Sequence, residues 1–117
     1  MAEEGVERRR HARYPTQVEA HVRRRGNVNV FRSQSVEVVD FNRHCCSIDA
    51  DGEFELGDSL LVTASVAGAS ITNIRGTVRS IRRNGDLSRL GIEFDYDRIN
   101  ERGMEMLYRM ELVVEAQ

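Results

Sequence analysis

Residues 71–96 read ITNIRGTVRSIRRNGDLSRLGIEFDY, and this stretch decides the fold class. Its first half is rich in β-formers, with Ile74, Thr77 or Val78, and Ile81 as candidate core positions. Asn84-Gly85-Asp86 then supplies residues that tolerate the positive φ of a tight hairpin turn. RLGIEFDY, residues 89–96, is the returning strand. Gly76 inside the outgoing strand points to a bulge or a close backbone approach.

The same grammar extends toward the N-terminus. SLLVTASV (59–66) is a further strand, separated from the hairpin by a loop at Ala67-Gly68-Ala69. DADGEFELGD (49–58) carries turn chemistry at Asp51-Gly52 and Gly57-Asp58. Val18, Ala20 and Val22 alternate with Gln17, Glu19, His21 and Arg23, the period-two pattern of a half-buried strand. A turn at Arg24-Arg25-Gly26-Asn27 leads to a second strand through Val28, Val30, Val36, Val38 and Val39, ending at Asp40. Toward the C-terminus, residues 98–114 lack turn signals, and Ile99, Met106, Leu107, Met110 and Val113 or Val114 fall at near-helical spacing. Asn100 sits near the first turn of that helix. Short strands at regular intervals, closed by one terminal helix, describe a barrel or a sandwich.

The chain has 117 residues, enough for one domain with a modest core. At 40% apolar and 31% charged it has the composition of a folded globular protein. No apolar run approaches the roughly 20 residues that span a bilayer, and MAEEGVERRR lacks the apolar segment of a secretory signal. A cytoplasmic protein without membrane insertion is expected. Cys45 and Cys46 are adjacent, which disfavours a bridge between them, and two reduced thiols in or beside a strand are expected. His44 beside them, without a second spaced pair, is not a zinc pattern.

Charge is uneven along the chain. Residues 1–43 hold nine arginines against six acids, and residues 44–117 hold eight against thirteen. Arg8, Arg9, Arg10 and Arg13 lie within six residues, just before the first strand. Guanidinium forks suit phosphate oxygens and guanine edges, so this segment suits anion capture, although a solvated basic tail has the same composition. Enzymatic readings find little here. His44, Ser47 and Asp49 are too close along one strand to converge as a triad, and there is no P-loop or dinucleotide fingerprint. A nucleic-acid platform is disfavoured by few aromatics, three tyrosines and four phenylalanines, none interleaved with arginine on one strand.

Taken in order, Arg9-x-x-x-Arg13, the strand pair ending in VVDFNRHCCSID, the ELGD turn, IRGTVRSIRR, RLGIEF and a final helix resemble the PilZ domain family. The resemblance spans about residues 7–112. It implies a mostly β fold, a six-stranded antiparallel β-barrel with a C-terminal α-helix and a flexible N-terminal arm. The arm would occupy 1–14, the barrel 15–97 and the helix 98–117. It further implies a non-enzymatic receptor for cyclic di-GMP, needing no other cofactor, that signals to an unidentified protein partner.

Matched position by position, Arg9 and Arg13 are the RxxxR arginines, which would grip phosphates and the guanine Hoogsteen edge with Arg8 or Arg10 assisting. Asp40 opens the second motif, (D/N)xSxxG, and would accept from guanine N–H groups. Asn42 stands at the family's serine position and Cys45 at its glycine position. A glycine there permits positive φ or close approach of a ligand, and a Cβ obstructs both. Each polar mismatch against a buried ligand costs about 1–3 kcal/mol. The alternative function is therefore a degenerate module that binds no nucleotide and acts as an adaptor between proteins, with Met104, Met106 and Met110 as a candidate contact set.

Overall fold

Apolar alternation along the sequence becomes burial along the strands. The computed structural model describes residues 14–24 and 33–117. Six strands follow in chain order: β1 (Tyr14–Arg24), β2 (Ser33–Phe41), β3 (Cys45–Asp51), β4 (Ser59–Val66), β5 (Ala69–Asn84) and β6 (Leu87–Phe94). They close into a barrel in the order β1-β2-β3-β6-β5-β4, every neighbouring pair antiparallel. A 3-10 turn at Tyr96–Arg98 and one helix, α1 (Glu101–Glu115), complete the chain. The expected six-stranded antiparallel barrel with a C-terminal helix is the observed fold.

Val18, Ala20 and Val22 of β1 point inward, as do Val36 and Val38 of β2, while His21 between them is exposed. Ile48, Leu60, Val78 and Leu90 lie at the centre with no solvent exposure. Each such side chain contributes roughly 1.5–3 kcal/mol of burial free energy. The expected core positions Ile74 and Val78 are buried, and Ile81 packs on the core from its edge. Thr77 instead faces outward, its hydroxyl donating to Asp95 Oδ1 at 2.8 Å. Period two fixes this choice, since adjacent residues 77 and 78 take opposite faces.

Two details differ from the sequence expectation, and a third decides between its alternatives. Ala69 belongs to β5, because the turn is the two-residue pair Ala67-Gly68, both at positive φ (47° and 85°) as a type I′ hairpin requires. Gly76 marks a close approach and not a bulge: a Cβ there would stand 2.5 Å from Ile92 Cγ2 and 3.2 Å from the Glu93 carbonyl. The irregularities in the β5 ladders fall elsewhere, between Val62 and Ala64 on β4 and between Val78 and Ser80 on β5. The returning strand stops at Phe94, and Asp95-Tyr96 already turns toward the helix.

Helix α1 starts at Glu101, three residues later than expected, because Asn100 is its N-cap and accepts from the Gly103 amide at 2.8 Å. Its buried stripe is Gly103, Leu107, Met110 and Val114. Gly103 lets the helix sit closely on β5, since a Cβ there would meet Ile99 Cγ2 at 2.6 Å and Ile74 Cδ1 at 3.2 Å. Met110 is fully buried and Met106 packs against the core, so two of the three candidate contact methionines serve the core instead. The exposed apolar residues of α1 are Tyr108 and Leu112, one helical turn apart.

At one end of the barrel the β3–β4 connection is fastened by Arg24. Its guanidinium donates to the Glu53 carbonyl at 2.7 Å and to Asp58 Oδ2 at 2.5 Å, and it lies 4.9 Å from the Phe54 ring centre. The β2–β3 turn is found at the opposite end.

Candidate functional site

The β1–β2 ladder sets the first described residues of β1 beside the second motif. Tyr14 pairs with Phe41 and Pro15 with Asp40, so the chain enters the barrel beside the end of β2. Arg8, Arg9, Arg10 and Arg13 lie outside the described residues, as do Val28, Val30 and residues 25–27 of the expected turn, whose first residue, Arg24, instead belongs to β1. Their point of attachment is nevertheless fixed: one residue after Arg13, the backbone is in register with Phe41.

Asp40 is half-buried on β2, between Pro15 of β1 and Ser47 of β3. Beside this row, Glu37, Asp49, Arg89 and Arg82 form a second row across β2, β3, β6 and β5. Arg89 grips Asp49 through both guanidinium edges, Nε to Oδ1 at 2.5 Å and Nη2 to Oδ2 at 3.1 Å. That hydrogen bonding holds the Arg89 pKa above its ordinary value, and the fields of Asp40 and Glu37 act in the same direction. Arg89 is thus held as a cation paired with Asp49, and no motif in the sequence singled it out.

The turn from Asn42 to Cys45 is built around the Asn42 side chain. Asn42 is buried, and its Oδ1 accepts from the backbone N–H of His44 at 2.7 Å and of Cys45 at 2.9 Å. Its own N–H donates to the Cys45 carbonyl at 2.9 Å. Such a side-chain-closed turn satisfies amides that would otherwise be orphaned. Cys45 begins β3, pairs with Glu93 and is half-buried. Its φ is not positive, so the backbone here accepts a residue with a Cβ. Neither cysteine is in a disulfide, and Cys46 lies within the core beneath.

The C-terminal elements hold this turn from outside the barrel. Glu111 Oε2 of α1 accepts from the Arg43 N–H at 2.8 Å, and the Tyr96 hydroxyl donates to the Arg43 carbonyl at 2.5 Å. The Arg43 guanidinium stacks 4.5 Å from the centre of the Tyr108 ring, and the His44 ring lies 5.1 Å from that of Tyr96. Burial pushes the Tyr96 hydroxyl up to about 12, partly offset by the neighbouring Arg43 charge, so it remains a donor at neutral pH. Residues including His44, Arg79, Glu93, Phe94 and Tyr96 line an open cavity of about 450 Å³ beside the turn.

Against this geometry, a profile of the PilZ domain matches residues 7–110. This chain belongs to the PilZ domain family. Comparison with the curated proteins gives no match. Among solved structures, the PilZ domain with c-di-GMP of YcgR from Escherichia coli has a TM-score of 0.70 at 14% identity, covering 93% of this chain and 92% of that one. MrkH from K. pneumonia has a TM-score of 0.64 at 11% identity, and the match covers 92% of this chain but 51% of MrkH. At these identities the likeness is one of fold.

Within this PilZ domain, then, Asp40, Asn42 and Cys45 gather at one end of β2 and β3, next to the root of the arm. The family resemblance named these three residues. It did not reveal that Asn42 turns its carbonyl onto the turn's own backbone, nor that Arg43, Tyr96, Tyr108 and Glu111 clamp the same turn. The contacts from Tyr96, Tyr108 and Glu111 join residues more than fifty positions apart and leave no local signature. Asp49 is paired with Arg89, and His44 packs against Tyr96. Among the described residues no group of three or more His, Cys, Asp or Glu side chains could hold a metal ion, and no helix is long and apolar enough to cross a membrane.

Proposed function

We propose that this protein is a cyclic di-GMP receptor whose arginine arm closes on the nucleotide against the end of β2 and the β2–β3 turn. The observation that carries the reading is the pairing of Tyr14 with Phe41 and Pro15 with Asp40, which roots the RxxxR segment beside the second motif. Arg9 and Arg13, with Arg8 or Arg10, take the phosphates and one guanine edge; Asp40 accepts from guanine N–H groups. Asn42 acts chiefly by shaping the turn, and Cys45 presents a thiol where the family has a glycine. Ordering of the arm on a dianion gives a change that a protein partner can read, because the ligand favours one arm state over the other. The protein works in the bacterial cytoplasm, in control of motility or biofilm formation, without catalysis of its own.

Isothermal titration calorimetry with cyclic di-GMP tests this. Saturable binding at micromolar ligand is expected, abolished by Arg13→Ala; no heat at high micromolar ligand with folded protein overturns it.

A second reading is an adaptor that binds no nucleotide. Tyr108 and Leu112, 46% and 64% exposed on the outer face of α1, favour it. Under that reading the calorimeter shows no heat with cyclic di-GMP, and Arg13→Ala is silent.

A further inference from the structure

The β2–β3 turn does not stand alone. Asn42 satisfies the amides of His44 and Cys45 from within the turn. The remaining backbone groups of Arg43 are taken from outside it, the N–H by Glu111 at 2.8 Å and the carbonyl by Tyr96 at 2.5 Å. The His44 carbonyl accepts from the Phe94 N–H at 2.9 Å. Every one of these partners belongs to the C-terminal third of the chain, and none lies in either sequence motif. Arg43 also stacks on Tyr108, so the guanidinium inside the second motif is parked on the helix face.

We infer that Glu111 and Tyr96 are positioning residues for the nucleotide site, setting its affinity from outside, and that ligand binding in turn stabilises helix α1. The inference rests on the cyclic di-GMP reading and adds to it the route by which occupancy reaches the surface. The physical basis is that both side chains hold the same residue, through the two peptide groups that flank Arg43. A turn that contacts ligand must hold one conformation, and two side chains from the helical end select that conformation through Arg43. Coupling free energies are reciprocal, so whatever the clamp gives to ligand affinity the ligand returns to the clamp. Glu111 and Leu112 are adjacent on α1, which places the exposed Leu112 and Tyr108 on the stretch of helix that binding steadies.

A merely structural role for Glu111 would move stability and leave ligand effects intact, so the test separates the two. Glu111→Gln keeps a neutral acceptor for the Arg43 N–H; Glu111→Ala does not. Calorimetry with cyclic di-GMP is expected to give affinity within about threefold of wild type for Gln and about tenfold weaker for Ala, as for loss of a partly buried hydrogen bond. Hydrogen exchange of peptides covering 107–115 is expected to slow on ligand saturation in wild type, and to lose that slowing in Glu111→Ala. Tyr96→Phe, which keeps the ring against His44 and removes only the donor, is the second variant should Glu111→Ala fail to fold; about threefold to tenfold weaker binding is expected. Tight binding by the wild type with equal affinity in both variants and no ligand-dependent change in 107–115 overturns the inference and leaves the receptor reading standing. Absence of binding by folded wild type overturns the receptor reading and the inference with it.

Discussion

Pro15 and Asp40 are register partners across the β1–β2 ladder, 25 positions apart in sequence and neighbours in the barrel wall. Arg13 lies two residues before Pro15 in sequence, and the proposed receptor reading has Arg13 and Asp40 share one ligand. Asp40→Ala should therefore weaken cyclic di-GMP binding at least about tenfold. Asp40 is only half-buried, so far-ultraviolet circular dichroism should stay unchanged. Calorimetry on the variant checks the first outcome, and an unaltered affinity would remove Asp40 from the site.

Asn42 is the keystone of the turn, accepting two backbone N–H groups while itself buried. Asn42→Ala strands both amides and should cost about 1–3 kcal/mol of stability, whereas Asn42→Asp retains the acceptor and should cost less. Urea denaturation of the three proteins measures the difference.

The double change Asn42→Ser with Cys45→Gly restores the family pattern. Since Cys45 does not occupy positive φ, the fold needs no glycine there. If the native residues obstruct ligand, the double variant should gain affinity by about ten- to a hundredfold over the parent. Unchanged tight binding would mean that the thiol and amide are tolerated. Titration of both proteins side by side decides.

Gly76 has no room for a Cβ. The atom would meet Ile92 Cγ2 and the Glu93 carbonyl, and the carbonyl is part of a ladder that cannot give way cheaply. Gly76→Ala should destabilise by about 1–3 kcal/mol through overpacking. A thermal melt is sufficient to detect this.

Tyr96 gives the alkaline limb of stability a recognisable shape. Burial raises its hydroxyl to about 12, while an unfolded tyrosine ionises near 10. The folded state therefore holds the proton more tightly than the unfolded one. Its contribution to stability is complete below pH about 10 and is lost as pH rises from there toward 12. Melting temperature should decline over that window, and the decline should be shallower in Tyr96→Phe, which starts from a lower value because the bond to the Arg43 carbonyl is gone.

Local rules carried the strands. Val18, Ala20 and Val22 alternate in sequence and are buried in the structure, and Asn84-Gly85-Asp86 makes its hairpin, because period two and turn chemistry act between near neighbours. The same locality accounts for the helix stripe of Leu107, Met110 and Val114. Of the candidate site, Asp40, Asn42 and Cys45 were named by the family resemblance. Three features were not: the Arg89–Asp49 pair, the inward turn of Asn42 Oδ1, and the clamp of Glu111 and Tyr96 on Arg43. Hydrogen bonds of that reach depend on barrel closure, which sets β3 beside β6 and lets α1 descend onto the β2–β3 turn. The sequence by itself determined strand periodicity, the hairpin turns, the core stripes and the order of the motifs. Only the tertiary structure decided which atoms hold the turn, because a closed barrel joins residues that no local pattern relates.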